Sequence, residues 1–466
     1  MTRWLPRQTA TVAALALAFT ATAHARAAAG PASLPPFVPT RTVEIAAVVL
    51  LGLAVLHTFL VKQFNALAHR CTPGSVGENV FHFLGEVEVV FGLWAGVLVA
   101  IIGLRAGMSQ ALAYLDQEVD FTEASFVFVI MVMSATRPVI WLAGRAIRAA
   151  ASLLPLPGRM SFYAAALAIG PLLGSVITEP AAMTVTALLL KKQLFDRKPR
   201  MSTRFMYATL GLLFVNVSIG GTLTHFAAPP VLMVAGPWGW DTGFMLRSFG
   251  WKAALAVVTG TALCAIVFRK ELQSNALPAD TGDSAPSSRP PIVLVVVHLA
   301  FMAATVAFHA HVKFFFPLFL FFIGVCSVTS EYQDRLQIRE GLLVGFFLGG
   351  LVTLGALQGW WLRPVLGAMA PSTLFFGAAG LTAFTDNAAI TFLGTQVPHL
   401  GDTAKYMLVA GAVSGGGLTV LANAPNPAGF GILRDAFGSD GISPWLLLLG
   451  ALPFTLLAAL AFVLLP

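Results

Sequence analysis

The sequence predicts an all-α polytopic membrane protein made of two inverted repeats, each with a re-entrant hairpin and an interrupted transmembrane helix. Three observations lead to this fold class. The 466 residues are 57% hydrophobic and only 11% charged, which is about half the charge of an average soluble protein. Several apolar runs approach the ~20 residues that a helix needs to cross a bilayer. The same order of unbroken and broken apolar segments also occurs twice, on either side of one polar stretch.

The N-terminal residues have the pattern of a secretory signal peptide. Arg3 and Arg7 precede a short apolar run that ends in Ala23-His24-Ala25, and this order is typical of a cleaved signal. An uncleaved first helix is the alternative. We expect a signal peptide at 1–25, followed by a Pro-rich periplasmic tether at 26–42.

A polar linker at 269–291, which contains ADTGDSAPSSRPP, separates a first repeat at 43–268 from a second at 292–466. Each repeat contains three apolar spans, two broken segments and a final span. In the first repeat these lie at 45–61, 80–103, 124–144, 161–190, 204–235 and 245–268. In the second they lie at 292–310, 314–328, 342–358, 372–397, 404–437 and 444–465.

Two local matches support the repeat. Thr178-Glu179-Pro180-Ala181-Ala182 corresponds to Thr385-Asp386-Asn387-Ala388-Ala389. Gly220-Gly221-Thr222-Leu223-Thr224 corresponds to Gly415-Gly416-Gly417-Leu418-Thr419, and proline follows each run. Because both matches occur in the same order and context, duplication explains them better than chance.

The loop charges predict that the second repeat is inverted. If 161–190 is a hairpin that enters and leaves on one side, the nine Lys and Arg residues between 145 and 204 share the cytoplasmic side, as the positive-inside rule requires. Each half then has five crossings and one hairpin, and an odd number of crossings inverts the second half. This is a plan of secondary transporters. The predicted topology places the chain in the bacterial inner membrane, with its mature N-terminus in the periplasm.

The breaks carry the candidate ion site. Glu179 and Asp386 occupy matching positions, and a carboxylate at mid-bilayer usually marks an ion or proton path. Oxygen ligands suit small cations, and a cation and a proton that compete for one carboxylate can be exchanged. The alternative is that both acidic residues only cap the helices that follow them. The candidate ion-binding residues are Glu179, Asp386, Asn387, Thr178, Thr385, Asn216, Gly220, Gly221, Thr222, Gly415, Gly416 and Asn423.

The Gly-Gly runs have two interpretations. They can supply unwound backbone whose carbonyls face the substrate. Alternatively, they allow helices to pack closely in lipid.

Four further residues, His82, Glu86, Glu88 and Arg137, are candidates for a proton relay. His82 and Glu86 are four residues apart and are expected on one helical face, with Glu88 nearly opposite. They form either an interfacial pair with Glu88 facing protein, or a relay that uses the near-neutral titration of histidine. Arg137 either snorkels toward the cytoplasm or is the counter-ion of an acidic residue. The cysteines and histidines show no metal-like spacing, so no transition-metal site or cofactor is expected.

The broken segments resemble a known superfamily. Asn216 to Thr224, followed by Ala228-Pro229-Pro230, resembles the Asn-Ile-Gly-Gly-Thr-Ala-Thr and Pro-Pro-Asn region of the ion-transporter superfamily, which includes sodium/proton antiporters, arsenite exporters and dicarboxylate carriers. GGGLTVLANAPNPAG is similar to its second-half counterpart. Thr385-Asp386-Asn387 is similar to the Asp-Asn that antiporters of the group carry in a hairpin, whereas Glu179-Pro180 departs from it. Overall the likeness is greatest to the bacterial family named putative sodium/proton antiporters, from about residue 43 onward.

This resemblance implies a secondary active transporter that exchanges a monovalent cation, Na⁺ or else Li⁺, for H⁺. An anion or arsenite-type exporter of the same fold is the alternative. An enzyme is not expected, because the sequence contains no His-Glu-x-x-His and Ser414 lacks the glycine of a nucleophile elbow. The expected partners are the lipid bilayer and small inorganic ions and not nucleic acid, since the basic residues lie in short loops. Related folds often form homodimers, which extends to this chain by analogy.

Overall fold

A computed structural model of the protein describes residues 34–196, 201–273, 289–438 and 441–466. Within these residues every regular element is a helix. Seven of the helices are long and apolar enough to cross a membrane, or eight if one bent pair counts as a span. The predicted all-α polytopic class is therefore confirmed. The predicted signal peptide lies outside the described residues.

Helices follow one another along both halves of the described chain. Those of the first half are α1 (Arg41–Ala68), α2 (Val76–Leu84), α3 (Val87–Ala106), α4 (Met108–Gln117), α5 (Thr122–Ser134), α6 (Arg137–Leu153), α7 (Gly158–Ile177), α8 (Glu179–Leu190), α9 (Thr203–Gly220), α10 (Pro229–Trp238), α11 (Thr242–Val267) and α12 (Arg269–Gln273). Those of the second half are α13 (Ile292–Ala307), α14 (Val312–Val328), α15 (Ile338–Gly355), α16 (Gly359–Gly367), α17 (Pro371–Thr382), α18 (Asn387–Thr395), α19 (Asp402–Gly415), α20 (Asn426–Leu433) and α21 (Pro444–Leu464). Their order follows the predicted succession of spans and broken segments, with two additional breaks and with two helices, α4 and α16, that lie outside the predicted spans.

The described part of the predicted tether is fastened to α4. Gln117 donates a hydrogen bond to the carbonyl of Pro35 at 3.1 Å and accepts one from the backbone N–H of Phe37 at 2.9 Å. The Phe37 side chain is buried, and its ring lies 5.0 Å from that of Tyr114. This segment therefore lies on the surface of α4.

One additional break separates α2 from α3, inside the predicted span 80–103. α2 ends at Leu84, and Glu86 has extended backbone with φ −94° and ψ 120°. His82 consequently lies on α2 and Glu86 in the break before α3, so the predicted pairing of these two side chains on one helical face is wrong. The acidic neighbour of His82 is Glu78, at 3.9 Å.

A second additional break lies inside the predicted span 124–144. α5 and α6 meet at an angle of 69°, so the prediction of one unbroken span is wrong. The local cause is Arg137-Pro138: proline has no N–H to donate and is tolerated only in the first turn of a helix. A new helix therefore begins at Arg137, after Thr136 in extended conformation.

The first predicted break lies where the sequence places it. α7 ends at Ile177 and α8 begins at Glu179, with Thr178 between them at a φ of 74°. A positive φ is unfavourable for a β-branched residue, so this turn is held by its surroundings. The two helices fold back on each other, because Gly174 faces Ala182 and Gly170 faces Thr186. Residue numbers rise along one helix as they fall along the other, so α7 and α8 run antiparallel.

Helices of the two halves pack against each other in a crossed arrangement. α10, which follows the second break of the first half, packs on α18 of the second half. α20, which follows the second break of the second half, packs on α8 of the first. The ends of all four broken segments therefore meet in one region.

The start of the predicted linker is helical. Arg269–Gln273 forms α12, whose Leu272 side chain is buried. Glu271 accepts hydrogen bonds from the backbone N–H and the hydroxyl of Ser202, at 2.9 Å and 2.7 Å. Residues 274–288 of the linker lie outside the described residues.

Candidate cation site

Hydrogen bonds attach the unwound segment after α9 to the end of α7. The Ser175 hydroxyl donates to the carbonyl of Gly220 at 2.7 Å and accepts from the backbone N–H of Leu223 at 2.9 Å. The Thr224 hydroxyl donates in turn to the Ser175 carbonyl at 2.7 Å. These bonds satisfy backbone groups that a helix interruption leaves without intrahelical partners.

The unwound segment after α19 is held by Asn426 and Thr419. The Asn426 amide nitrogen donates to the carbonyls of Gly416 and Thr419, both at 2.8 Å. The Thr419 hydroxyl donates to the Ala383 carbonyl at 2.9 Å. Asn387 N–H donates to the Ala422 carbonyl at 3.1 Å, so the segment is fixed to both sides of the break before α18.

Two side-chain contacts join the halves across this region. The Asn423 amide nitrogen donates to Glu179 Oε2 at 2.9 Å. The Asn387 amide nitrogen lies 3.4 Å from the Ser218 hydroxyl, which itself donates to the Val413 carbonyl at 2.8 Å. Asn423 also lines a cavity together with Asp386. The structure thus brings together the two breaks that carry the predicted carboxylates.

Four buried oxygens in this region have no hydrogen-bond donor among the described residues. They belong to Glu179, Asn387, Asn423 and Asn426, and each of these side chains is 1% exposed or less. The amide orientations follow from the network, because a nitrogen must face the carboxylate and the carbonyls that accept from it. Burying oxygens without partners is unfavourable. A group of acceptor-only oxygens beside carboxylates fits the ligand chemistry of a hard cation.

Asp386 has two roles in this geometry. Its Oδ1 atom accepts from the backbone N–H of Ala388 at 2.8 Å, so it caps α18 as the capping interpretation expects. It also lines a cavity of about 40 Å³ together with Thr385, Asn423 and Glu88. Glu179 differs, since Thr178 occupies the cap position of α8 and the Glu179 side chain faces Asn423.

A family model described as "Putative Na+/H+ antiporter" matches residues 42–465 of the chain. The chain belongs to this family. The match spans both halves and confirms the recognition made from the broken segments. Membership makes the protein a multi-pass antiporter and supports cation/proton exchange. No curated protein matches the chain.

The glycine runs of this antiporter divide into two kinds of contact. Gly220 and Gly415 pack on other helices: an added Cβ would lie 2.8 Å from the Pro171 carbonyl at Gly220 and 2.5 Å from that of Ala379 at Gly415. Gly221 and Gly416 instead make room for site residues. An added Cβ would lie 2.5 Å from Glu179 Oε1 at Gly221, and 2.8 Å from the Asn387 amide nitrogen at Gly416.

Three other residues predicted for the antiporter's ion site make contacts away from the unpaired oxygens. Asn216 donates to the Leu167 carbonyl at 2.8 Å and to the Thr261 hydroxyl at 3.1 Å, which joins α9 to α7 and α11. The Thr222 hydroxyl donates to the Ile219 carbonyl at 2.7 Å. The hydroxyl of Thr178 lies 3.0 Å from that of Ser134.

Of the four relay candidates in the antiporter, only Glu88 lines the cavity that contains Asp386. Arg137 forms an ion pair with Asp334 at 2.6 Å, as the counter-ion alternative expects. Glu86 forms an ion pair with Arg339 at 2.5 Å.

Sequence reasoning missed Asn426 and Ser218. The available signal for Asn426 was Pro425-Asn426-Pro427, a buried amide between two prolines that leave carbonyls without intrahelical donors. Ser218 carried no comparable signal, since one serine in an apolar helix is ordinary.

Proposed function

We propose that this antiporter exchanges a monovalent cation, Na⁺ in preference to Li⁺ or K⁺, for protons across the bacterial inner membrane. The observation that supports this most directly is the set of four unpaired oxygens from Glu179, Asn387, Asn423 and Asn426. The set contains carboxylate and neutral amide oxygens, which suits a cation of low charge. Two carboxylates in the same region disfavour the alternative anion or arsenite-type exporter.

The exchange follows from competition at the carboxylates. A bound cation compensates the charge of the buried Glu179 and of Asp386. When the cation leaves, an uncompensated carboxylate at this depth is strongly unfavourable. A proton then binds a carboxylate oxygen, and the next cation displaces it. The four unpaired oxygens lower the free energy of the cation-bound state because they can coordinate the cation.

The crossed packing supports the proposed architecture of inverted repeats. α8 contacts α20 just as α18 contacts α10, so each hairpin arm rests on the broken helix of the other half. The antiparallel pair α7 and α8 supports a re-entrant hairpin at 161–190. We assign 372–397 as its counterpart, and place the two hairpins on opposite sides of the membrane.

The test uses everted membrane vesicles with an acid interior, to which Na⁺, Li⁺ or K⁺ is added while a dye reports pH. We expect Na⁺ to dissipate the gradient with the wild-type protein and not with Asp386→Asn or Glu179→Gln. Matched controls are Asp402→Asn and Glu340→Gln, which change exposed carboxylates and should leave the rate unchanged.

Wild-type rates in both site variants would contradict the two-carboxylate site. No response of the wild type to any of the three cations would contradict cation exchange itself.

A further inference from the structure

The cavity beside Asp386 is lined by a carboxylate from a different part of the fold. Glu88 belongs to α3, whereas Asp386 precedes α18 and Asn423 follows α19. All three line the cavity, together with the hydroxyl-bearing residues Thr58 and Thr385.

The cavity has the size and chemistry of a small-cation site. Its volume of about 40 Å³ exceeds the 10–15 Å³ that one water-sized sphere occupies, so it has room for a cation that keeps a water molecule. Among the described residues, no lysine or arginine lines it. The Asn423 side chain is 1% exposed and contributes an oxygen that receives no hydrogen bond from the described chain. Glu88, Asp386 and Asn423 therefore line one cavity whose remaining wall is mostly apolar and, within the described chain, carries no basic side chain.

A wider cavity lies next to the same turn of α3. It has a volume of about 740 Å³ and is lined by Glu86, Arg339, His82 and Asn79, among others. Glu86 and Val89 of α3 line this cavity, whereas Val87 and Glu88 line the smaller one. Arg339 is occupied by its ion pair with Glu86. Residues 86 to 89 thus separate the wider cavity from the smaller one that Glu88 and Asp386 line.

We propose that Glu88 and Asp386 form a second cation position, an access site in front of the buried oxygens of Glu179, Asn387 and Asn426. Asn423 connects the two positions, since its amide nitrogen binds Glu179 while the residue lines the access cavity. Glu88 then determines how well the transported cation is captured and not whether exchange occurs. This inference rests on the proposed function.

The test measures the apparent KM and maximal rate for Na⁺ in everted vesicles. We expect Glu88→Gln to raise the KM about tenfold, which corresponds to about 1.4 kcal/mol, with a maximal rate close to that of the wild type. Glu88→Asp keeps the carboxylate but shortens the side chain by one methylene. Its KM should lie between those of the wild type and Glu88→Gln. Glu340→Gln is the control for an exposed carboxylate on α15.

A purified-protein measurement separates this inference from the proposed function. Thermal unfolding of the full chain in detergent is followed in NaCl and in choline chloride. We expect Na⁺ to raise the Tm of the wild type, and to raise it less for Glu88→Gln. A wild-type KM together with a wild-type Na⁺-dependent Tm shift in Glu88→Gln would overturn the access site. If the wild-type protein shows no exchange in vesicles, the proposed function is contradicted. The Tm comparison still tests Na⁺ binding in that case.

Discussion

At the scale of single residues, the candidate site is defined by which oxygens lack donors. Asn387, Asn423 and Asn426 each use the amide nitrogen within the protein and leave the oxygen unpaired among the described residues. Asn216 is chemically identical but uses its nitrogen to join three helices. A buried oxygen without a donor, and not the residue type, separates a ligand candidate from a structural amide.

Asn426 is expected to stabilise the unwound segment as well as to bind the cation. Asn426→Ala removes the donor of two carbonyls, those of Gly416 and Thr419, and a buried acceptor left unpaired loses about 1–3 kcal/mol. We expect a clear decrease in Tm for the purified protein, measured in detergent without Na⁺. Asn79→Ala, at an exposed position, is the control. A Tm equal to that of the control would show that the two carbonyls do not depend on Asn426.

The sequence predicts the carboxylates of the site but not its full set of oxygens. Glu179 and Asp386 can be found because charge in an apolar run is rare and unfavourable. Asn423 is identified because it lies close to a glycine run. Asn426 cannot be ranked above Asn216 in this way, since an unpaired oxygen is a property of the folded network and leaves no local pattern in the chain.

At the scale of elements, the helix breaks place polar groups in the interior of the membrane-spanning region. Glu-Pro ends α7 and starts α8 in the predicted place, because a proline and a carboxylate coincide there. The break between α5 and α6 was missed, although Pro138 signals it, because the surrounding residues read as one apolar span. The break at Gly85 and Glu86 was missed for the same reason. Hydropathy detects a span, whereas a bend depends on a few backbone groups.

Gly221 offers a direct test of how a break shapes the site. Its φ of −73° suits any residue, so Gly221→Ala should fold. The added Cβ would lie 2.5 Å from Glu179 Oε1 and must displace the carboxylate. We expect exchange to fall by about 10-fold to 100-fold, the scale of effect that a misplacement of about 1 Å can produce.

The control for this change is Gly52→Ala in α1, where nothing lies within 4 Å of an added Cβ. Exchange by Gly221→Ala at the rate of Gly52→Ala would show that the Glu179 position tolerates displacement.

At the scale of the whole molecule, ion pairs and packing tie the two halves together. Arg137 of α6 pairs with Asp334, and Glu86 pairs with Arg339. Arg137 as a donor and Glu86 as an acceptor therefore both contact the chain around the start of α15, because Asp334 precedes this helix and Arg339 lies in its first turn. Exposed pairs of this kind contribute little individually, so the crossed helix packing is the larger connection.

The inverted arrangement predicts opposite sides for two exposed positions. Glu118 lies in the acidic loop before α5, and Arg335 lies before α15. In a Cys71→Ser background, Glu118→Cys should react with an impermeant maleimide from the periplasmic side. Arg335→Cys should react only in everted vesicles. Cys264 and Cys326 are buried and give a low background. Labelling of both positions from one side would contradict the topology.

The bond between Asn423 and Glu179 also sets an order of events during biosynthesis. The two residues are 244 positions apart in the chain. At about 5–20 residues per second, Glu179 leaves the ribosome roughly 10 to 50 seconds before its partner. During this time the Glu179 carboxylate lacks its amide partner, and α8 has no α20 to cover it. The nascent first half therefore lacks contacts that stabilise it. We expect two separately expressed halves to accumulate only when both are made in the same cell.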